Sequence, residues 1–201
     1  MTPRRLLTFG GLAIAVGVLG GWLVVRPPRW FKRPATNLSA ANVPAEPSAG
    51  RKIKARVFYV ADEGGRLTSV ERDVAFGEGT AAQARQLIEA QLAPVDEPLV
   101  SAVPPGTTLR ALFVTERGEA YVDLSHDIVG GHSGGSMNEL LTVYTLVDVL
   151  TSNLPAVTSV QLLVDGKEVE TLAGHVDLRR PLAKNLEWAI ERENVEVKSE
   201  K

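Results

Sequence analysis

Leu6 to Val25 is an unbroken run of twenty residues without a charged side chain. At about 1.5 Å of rise per residue, a helix of that length reaches roughly 30 Å, the hydrocarbon thickness of a bilayer. A buried helix of a water-soluble core has no need of so long an apolar stretch ahead of a polar linker. A cleaved signal peptide would have a shorter apolar core with a small-x-small site directly after it. Here the run ends in Trp22-Leu23-Val24-Val25-Arg26-Pro27-Pro28, which offers no such site. We read residues 1–25 as an uncleaved membrane anchor, with Trp22, Trp30 and Phe31 suited to the interfacial belt. Ala13, Gly17 and Gly21 form a small-xxx-small ridge along which two such helices can approach, a route to self-association. Arg4 and Arg5 precede the span, and Arg26, Arg29, Lys32 and Arg33 follow it. Counted alone, these charges put the C-terminal side in the cytoplasm.

The formal charge of −2 hides a division. Residues 1–56 hold ten Lys/Arg and a single acid, Glu46, for a net +9, whereas residues 57–201 carry a net −11. An acidic body repels phosphates, so nucleic acid is not an expected partner. The 201 residues include no cysteine. That excludes a disulfide scaffold, a thiolate metal site, a cysteine nucleophile and a lipidated N-terminal cysteine.

Residues 26–52 hold Pro27, Pro28, Pro34, Pro44 and Pro47 among Ala, Ser and Asn, with no apolar period. They read as an extended tether. From Ile53 the pattern changes. Ile53–Val60 and Leu67–Phe76 read as strands joined by an Asp62-Glu63-Gly64-Gly65 turn. Thr80 is the expected N-cap of a helix over 81–93, with Ala84, Leu87, Ile88 and Leu92 on one face. Thr107–Thr115 and Ala120–Leu124 form a hairpin. After a glycine-rich loop, Ser136 and Glu139 suggest a capping box opening a long helix to about Asn153. Val157–Val164 is a strand, Asp165-Gly166 a hairpin turn, and Lys167–Thr171 its return. An amphipathic helix over 182–192 follows Pro181, then a charged tail, 193–201. The expected fold class is α/β (α+β): a mainly antiparallel sheet in the order ββαββαββ, with the helices packed on one face, spanning residues 53–192.

Four pieces of this body carry a family resemblance. They are Val57-Phe58-Tyr59-Val60 followed by Leu67–Arg72, Val103-Pro104-Pro105-Gly106-Thr107, Ala120-Tyr121-Val122-Asp123-Leu124-Ser125, and Val157–Lys167. Gly174–Leu178 and Pro181 extend the set. Together they resemble the GerMN domain of sporulation and spore-germination proteins. The resemblance implies a small α/β unit similar to ring-building motifs of secretion systems, held outside a membrane, with no catalytic activity attached. Pro104, Gly106, Asp123, Leu124, Asp165, Gly166, Asp177 and Pro181 fall on motif positions, which the resemblance marks as structural. It implies an extracytoplasmic body, and we let that outweigh the Lys/Arg count. The single copy and the absence of a lipidated cysteine depart from the family's usual cases.

Other patterns point elsewhere. Gly131-His132-Ser133-Gly134-Gly135 matches G-x-S-x-G, the nucleophile elbow of α/β-hydrolases, and Asp165 and His175 follow Ser133 in the required order. The elbow needs a strand running directly into it and a parallel sheet, and the hairpin pattern supplies neither. Asp123, His126, Asp127 and His132 could ligate a metal, at a spacing that matches no standard signature. Arg179-Arg180 is a candidate contact for a partner. The expectation is therefore a non-catalytic, membrane-anchored interaction module of the bacterial envelope, without a cofactor, contacting other envelope proteins or itself. The alternatives are a binder of a small ligand or cell-wall glycan, and a serine hydrolase acting through Ser133.

Overall fold

The computed structural model describes residues 50–190. The expected anchor, all but the last three residues of the tether (50–52), and the charged tail lie outside the described residues. Among the described residues no helix is long and apolar enough to cross a membrane.

Two long strands, β1 (Lys52–Val60) and β2 (Leu67–Ala75), form an antiparallel hairpin in continuous register from Lys52↔Ala75 to Val60↔Leu67. Helix α1 (Thr80–Leu92) follows and buries Ala84, Leu87 and Ile88, the stripe its spacing predicts. The expected Thr80 cap is not made: Gly79 occupies the cap position, and no side chain bonds there. Gln83 serves that end instead, accepting from Gly77 N at 2.9 Å and donating to the Ala75 carbonyl at 3.2 Å.

The second hairpin is β3 (Leu109–Val114) and β4 (Glu119–Leu124). A single helical turn, α2 (Asp127–Gly130), then leads to the long helix α3 (Ser136–Asn153). Strand β5 (Ser159–Val164) returns beside β4, and a short β6 (Lys167–Glu168) turns back on it. The Asp165-Gly166 turn joins them with φ of +50° and +75°, the left-handed pair that a tight two-residue hairpin requires.

Strand pairing is mainly antiparallel, as expected, but the expectation of a single sheet needs correction. Among the described residues there are two sheets, one in which β2 lies between β1 and a short β8 (Ala189–Ile190) and one containing β3-β4-β5-β6, and each contains a parallel pair. β4 and β5 run parallel over six residue pairs because α3 lies between them as a crossover, and parallel neighbours need such a connection. α3 contacts β1 of the first sheet and β5 of the second. Its Val143, Leu146, Val147, Val149 and Leu150 have no exposed surface, as befits a helix enclosed on several sides.

The expected C-terminal helix is also absent over residues 182–190. In its place are β7 (Leu182–Ala183) against β5, a 3₁₀ turn (Leu186–Trp188), and β8 (Ala189–Ile190), which runs parallel to β2. Amphipathic spacing over so short a stretch yielded to backbone pairing with two strands already in place. This strap ties the two sheets together.

The free edge of β1 is closed without another strand. Asn153, at the end of α3, accepts from Arg56 N and donates to Arg56 O, both at 2.8 Å. Gln91, near the end of α1, does the same for Phe58 at 2.9 and 2.7 Å. Val60 N donates to Val100 O at 2.8 Å. Alternate residues along the edge thus have their backbone groups satisfied by side-chain amides or a loop carbonyl. Over residues 56–60 an edge occupied in this way cannot template another chain.

Candidate functional site

The turn Val103-Pro104-Pro105-Gly106-Thr107 is braced by Thr107, whose N–H and hydroxyl both donate to the Pro104 carbonyl, at 3.4 and 2.8 Å. Facing it is the glycine-rich loop 130–135. Gly131 sits so close that a Cβ there would stand 3.2 Å from Pro104 Cβ and 3.0 Å from the Asp127 carbonyl. Gly134 and Gly135 take φ of +77° and +86°, which lets the loop reverse and start α3 without strain. Between turn and loop lies a cleft of about 400 Å³. Val100, Val103, Pro104 and Leu141 give it apolar walls, and His132, Ser133, Asn138 and Thr142 supply polar groups. Val100 is 57% exposed, an aliphatic side chain presented to solvent at the cleft.

The residues proposed for hydrolysis are not brought together. The exposed Ser133 hydroxyl accepts from Asn138 Nδ2 at 3.1 Å. Asp165 takes the Arg110 guanidinium at 2.8 Å. His175 Nδ1 lies 3.1 Å from a Glu139 carboxylate oxygen. Each belongs to a different local network, so no base faces Ser133.

The residues weighed as metal ligands are likewise separate. Asp123 accepts from Gly166 N at 2.7 Å, and Asp127 from the Ser125 hydroxyl at 2.7 Å. His126 Nδ1 stands 3.9 Å from Asp165. His132 is turned to Thr142. Among the described residues no group of three or more His, Asp or Glu is placed to hold a metal ion.

The motif positions make structural bonds. Asp123 is nearly buried at the end of β4, and its bond to Gly166 fixes the β5–β6 turn against that strand. The neighbouring Leu124 is fully buried and its carbonyl accepts from Asp165 N at 3.0 Å. Two sequence pieces forty residues apart therefore meet as one clasp. Asp177 is chelated by Arg179 through Nε and Nη2 at 2.9 and 2.8 Å, which holds its carboxyl well below the usual carboxylate range. Arg180 and Pro181 are exposed just ahead of β7.

Residue-pattern reasoning missed two buried carboxylates on α3. Glu139 completes no capping box. Its carboxylate is fully buried and accepts from Leu172 N and His175 N, both at 2.8 Å. Burial works to raise its pKa, but the backbone N–H groups of Ala173, His175, Leu172 and Val176 outweigh it, and the net shift is downward. Asp148, also fully buried, accepts from Asn185 N at 3.0 Å, and its second oxygen has no partner. Burial pushes its pKa up to about 6, against the opposing pull of the Asn185 N–H and Lys184. The available signal was that these are the only two charged residues in the eighteen of α3.

With this geometry in view, comparison with known proteins decides the family. The family model for Germane, described as sporulation and spore germination, matches residues 56–170. The chain belongs to the Germane family. The resemblance to GerMN domains read from the four sequence pieces is thereby shown, although the matched stretch ends before Asp177 and Pro181. No curated protein matches. Among solved structures, the tandem GerMN domains of the sporulation protein GerM from Bacillus subtilis share the fold, with a TM-score of 0.52 at 14% identity over 66% of this chain and 46% of that one. The first GerMN domain of that protein alone gives 0.48 at 16% identity, covering 66% and 96%. A Clostridium perfringens chain described as a lipoprotein gives 0.47 at 20% identity, covering 66% and 88%.

Proposed function

We propose that this protein is a non-catalytic interaction module of the bacterial envelope, held to a membrane by residues 6–25 and spaced from it by the 26–52 tether. The observation that carries the reading is the Germane family match over residues 56–170, which covers most of the folded body. The uncharged twenty-residue run supports the anchor, and the net −11 of residues 57–201 favours basic protein partners over nucleic acid. The body faces the extracytoplasmic side, and the exposed Arg179-Arg180 segment is a candidate contact. Crosslinking in intact cells, followed by recovery of the full chain from membranes, tests the reading. Recovery with defined envelope proteins, or as a multimer, supports it. Recovery of monomer alone would overturn it. A second reading, binding of a small uncharged ligand, is favoured by the 400 Å³ cleft, whose lining holds no Asp, Glu, Lys or Arg.

A further inference from the structure

We propose that His132 is a proton-sensitive latch that holds the glycine-rich loop 130–135 closed over the cleft. The proposal concerns regulation of the cleft and does not depend on what occupies it.

The hydrogen bonds determine the ring's protonation. Thr142 Oγ1 lies 2.6 Å from the Ala102 carbonyl and 2.9 Å from the Asn138 carbonyl. Carbonyls only accept, so the hydroxyl proton is directed at them. The same Oγ1 lies 3.2 Å from His132 Nε2, and its proton is already used, so Nε2 must carry a hydrogen and donate. Nδ1 accepts from the Gly134 N–H at 2.9 Å and must therefore be bare. His132 is held as the neutral Nε2–H tautomer, with both nitrogens engaged.

This chain of bonds joins three segments. Nε2, Thr142 and the Ala102 carbonyl link the ring to α3 and to the segment entering the 103–107 turn. Nδ1 and Gly134 link it to the loop. Four of the six loop residues are glycine, with no side chains to pack and a large entropy to lose on ordering. From α3, the exposed Asn138 Nδ2 donates to the Ser133 hydroxyl and to the Gly134 carbonyl, both at 3.1 Å. The imidazole is the loop's part-buried side-chain tether, beside the exposed Asn138 amide.

A second proton on the ring lands on Nδ1, where it faces the Gly134 N–H. Two donors then point at each other, and that bond is lost while the Nε2–H bond survives. Asp62 and Glu63 belong to the β1–β2 turn, whose Gly64 and Gly65 line the cleft. The cleft lining includes no Asp or Glu. On the preceding turn, the Asp127 carboxylate is taken by Ser125, and His126 leans toward Asp165. On α3, Glu139 is committed to the 172–175 backbone. Protonation therefore removes the part-buried bond to the Gly134 N–H, so that Gly134 keeps only the exposed side-chain bond from Asn138 while the ring stays tethered to α3.

Hydrogen exchange of the full chain in detergent, read by mass spectrometry at about pH 7.5 and about pH 5.5, tests this. Rates are corrected for the intrinsic pH dependence of amide exchange. A peptide spanning Gly131–Asn138 is expected to lose about tenfold in protection on acidification, while the interior of α3 keeps its own. His132→Gln has no group that gains a proton in this range, so its loop should be indifferent to pH. Should His132→Gln disturb folding, the wild-type chain still decides by ¹⁵N NMR: the Gly134 amide must shift with the same midpoint as the His132 ring. The proposal is overturned if the loop's pH response persists in His132→Gln, or if it vanishes instead in His126→Gln or His175→Gln. No ligand enters the measurement, so failure to find one leaves the result intact.

Discussion

Glu139 and Asp148 are two carboxylates on one helix, nine positions apart, both without exposed surface, and they behave in opposite ways. At the start of α3, the 172–176 segment wraps its backbone N–H groups around Glu139 and makes its anionic form the favoured one. Toward the other end, a single N–H from Asn185 reaches Asp148, one oxygen is left without a partner, and the anion is disfavoured. Each pins a segment that follows β6, since Glu139 holds the 172–175 bend and Asp148 holds the strap that carries β7 and β8. Burial is common to both. The number of donors that come with it decides whether a buried charge stabilises the fold or strains it.

The largest test of that contrast is Glu139→Ala. It leaves at least two buried N–H groups without an acceptor and a void beside them, and should cost about 3 kcal/mol or more in urea unfolding. Asp148→Asn should do the reverse and stabilise the protein near neutral pH. Burial holds the Asp148 pKa at about 6, above its ordinary value of 3.8. Its contribution is thus fully present below the unfolded value and lost as pH rises through about 6. Two units correspond to at most about 3 kcal/mol, lessened by whatever relief water and Lys184 provide. The measurable signature is slope. Wild-type stability should carry a decline between about pH 4 and pH 6 that Asp148→Asn lacks. Glu139, with its pKa lowered, contributes in the other sense: its stabilisation is present above the unfolded value and fades only in stronger acid.

Gln91→Ala extends the rule to a neutral clamp. It strips both partners from the backbone of buried Phe58 and should cost about 2 kcal/mol in the same assay. The smallest effect is expected from His175→Ala. Its side chain is 43% exposed, and the backbone N–H groups around Glu139 remain, so the loss should be under about 1 kcal/mol. A loss as large as that of Glu139→Ala would shift the credit from backbone to imidazole and break the comparison as drawn.

How much of this was legible follows the range of the interactions. The β1–β2 and β3–β4 hairpins, the Asp165-Gly166 turn and the long helix rest on local periodicity and turn chemistry, and all were readable. The parallel β4–β5 pairing was not, because periodicity shows that a strand exists and not which neighbour it takes. The 182–190 strap looked helical because its spacing is amphipathic. Its true partners, β5, β2 and Asp148, lie 20 to 120 positions away. At the candidate site, Ser133 was found by motif and lacks the expected company, whereas His132 matters through contacts with Gly134 and Thr142 that no motif encodes.

The amino-acid sequence by itself determined the division into an uncharged run flanked by basic residues, a proline-rich stretch and an acidic body, and it carried enough ordered motif to name the family. Those properties are written in composition and in neighbours within a few residues. Tertiary structure alone decided which carboxylates are buried, how many donors meet each, which strands run side by side, and which tautomer His132 adopts. These depend on groups far apart in the chain that meet only when the two sheets close around α3.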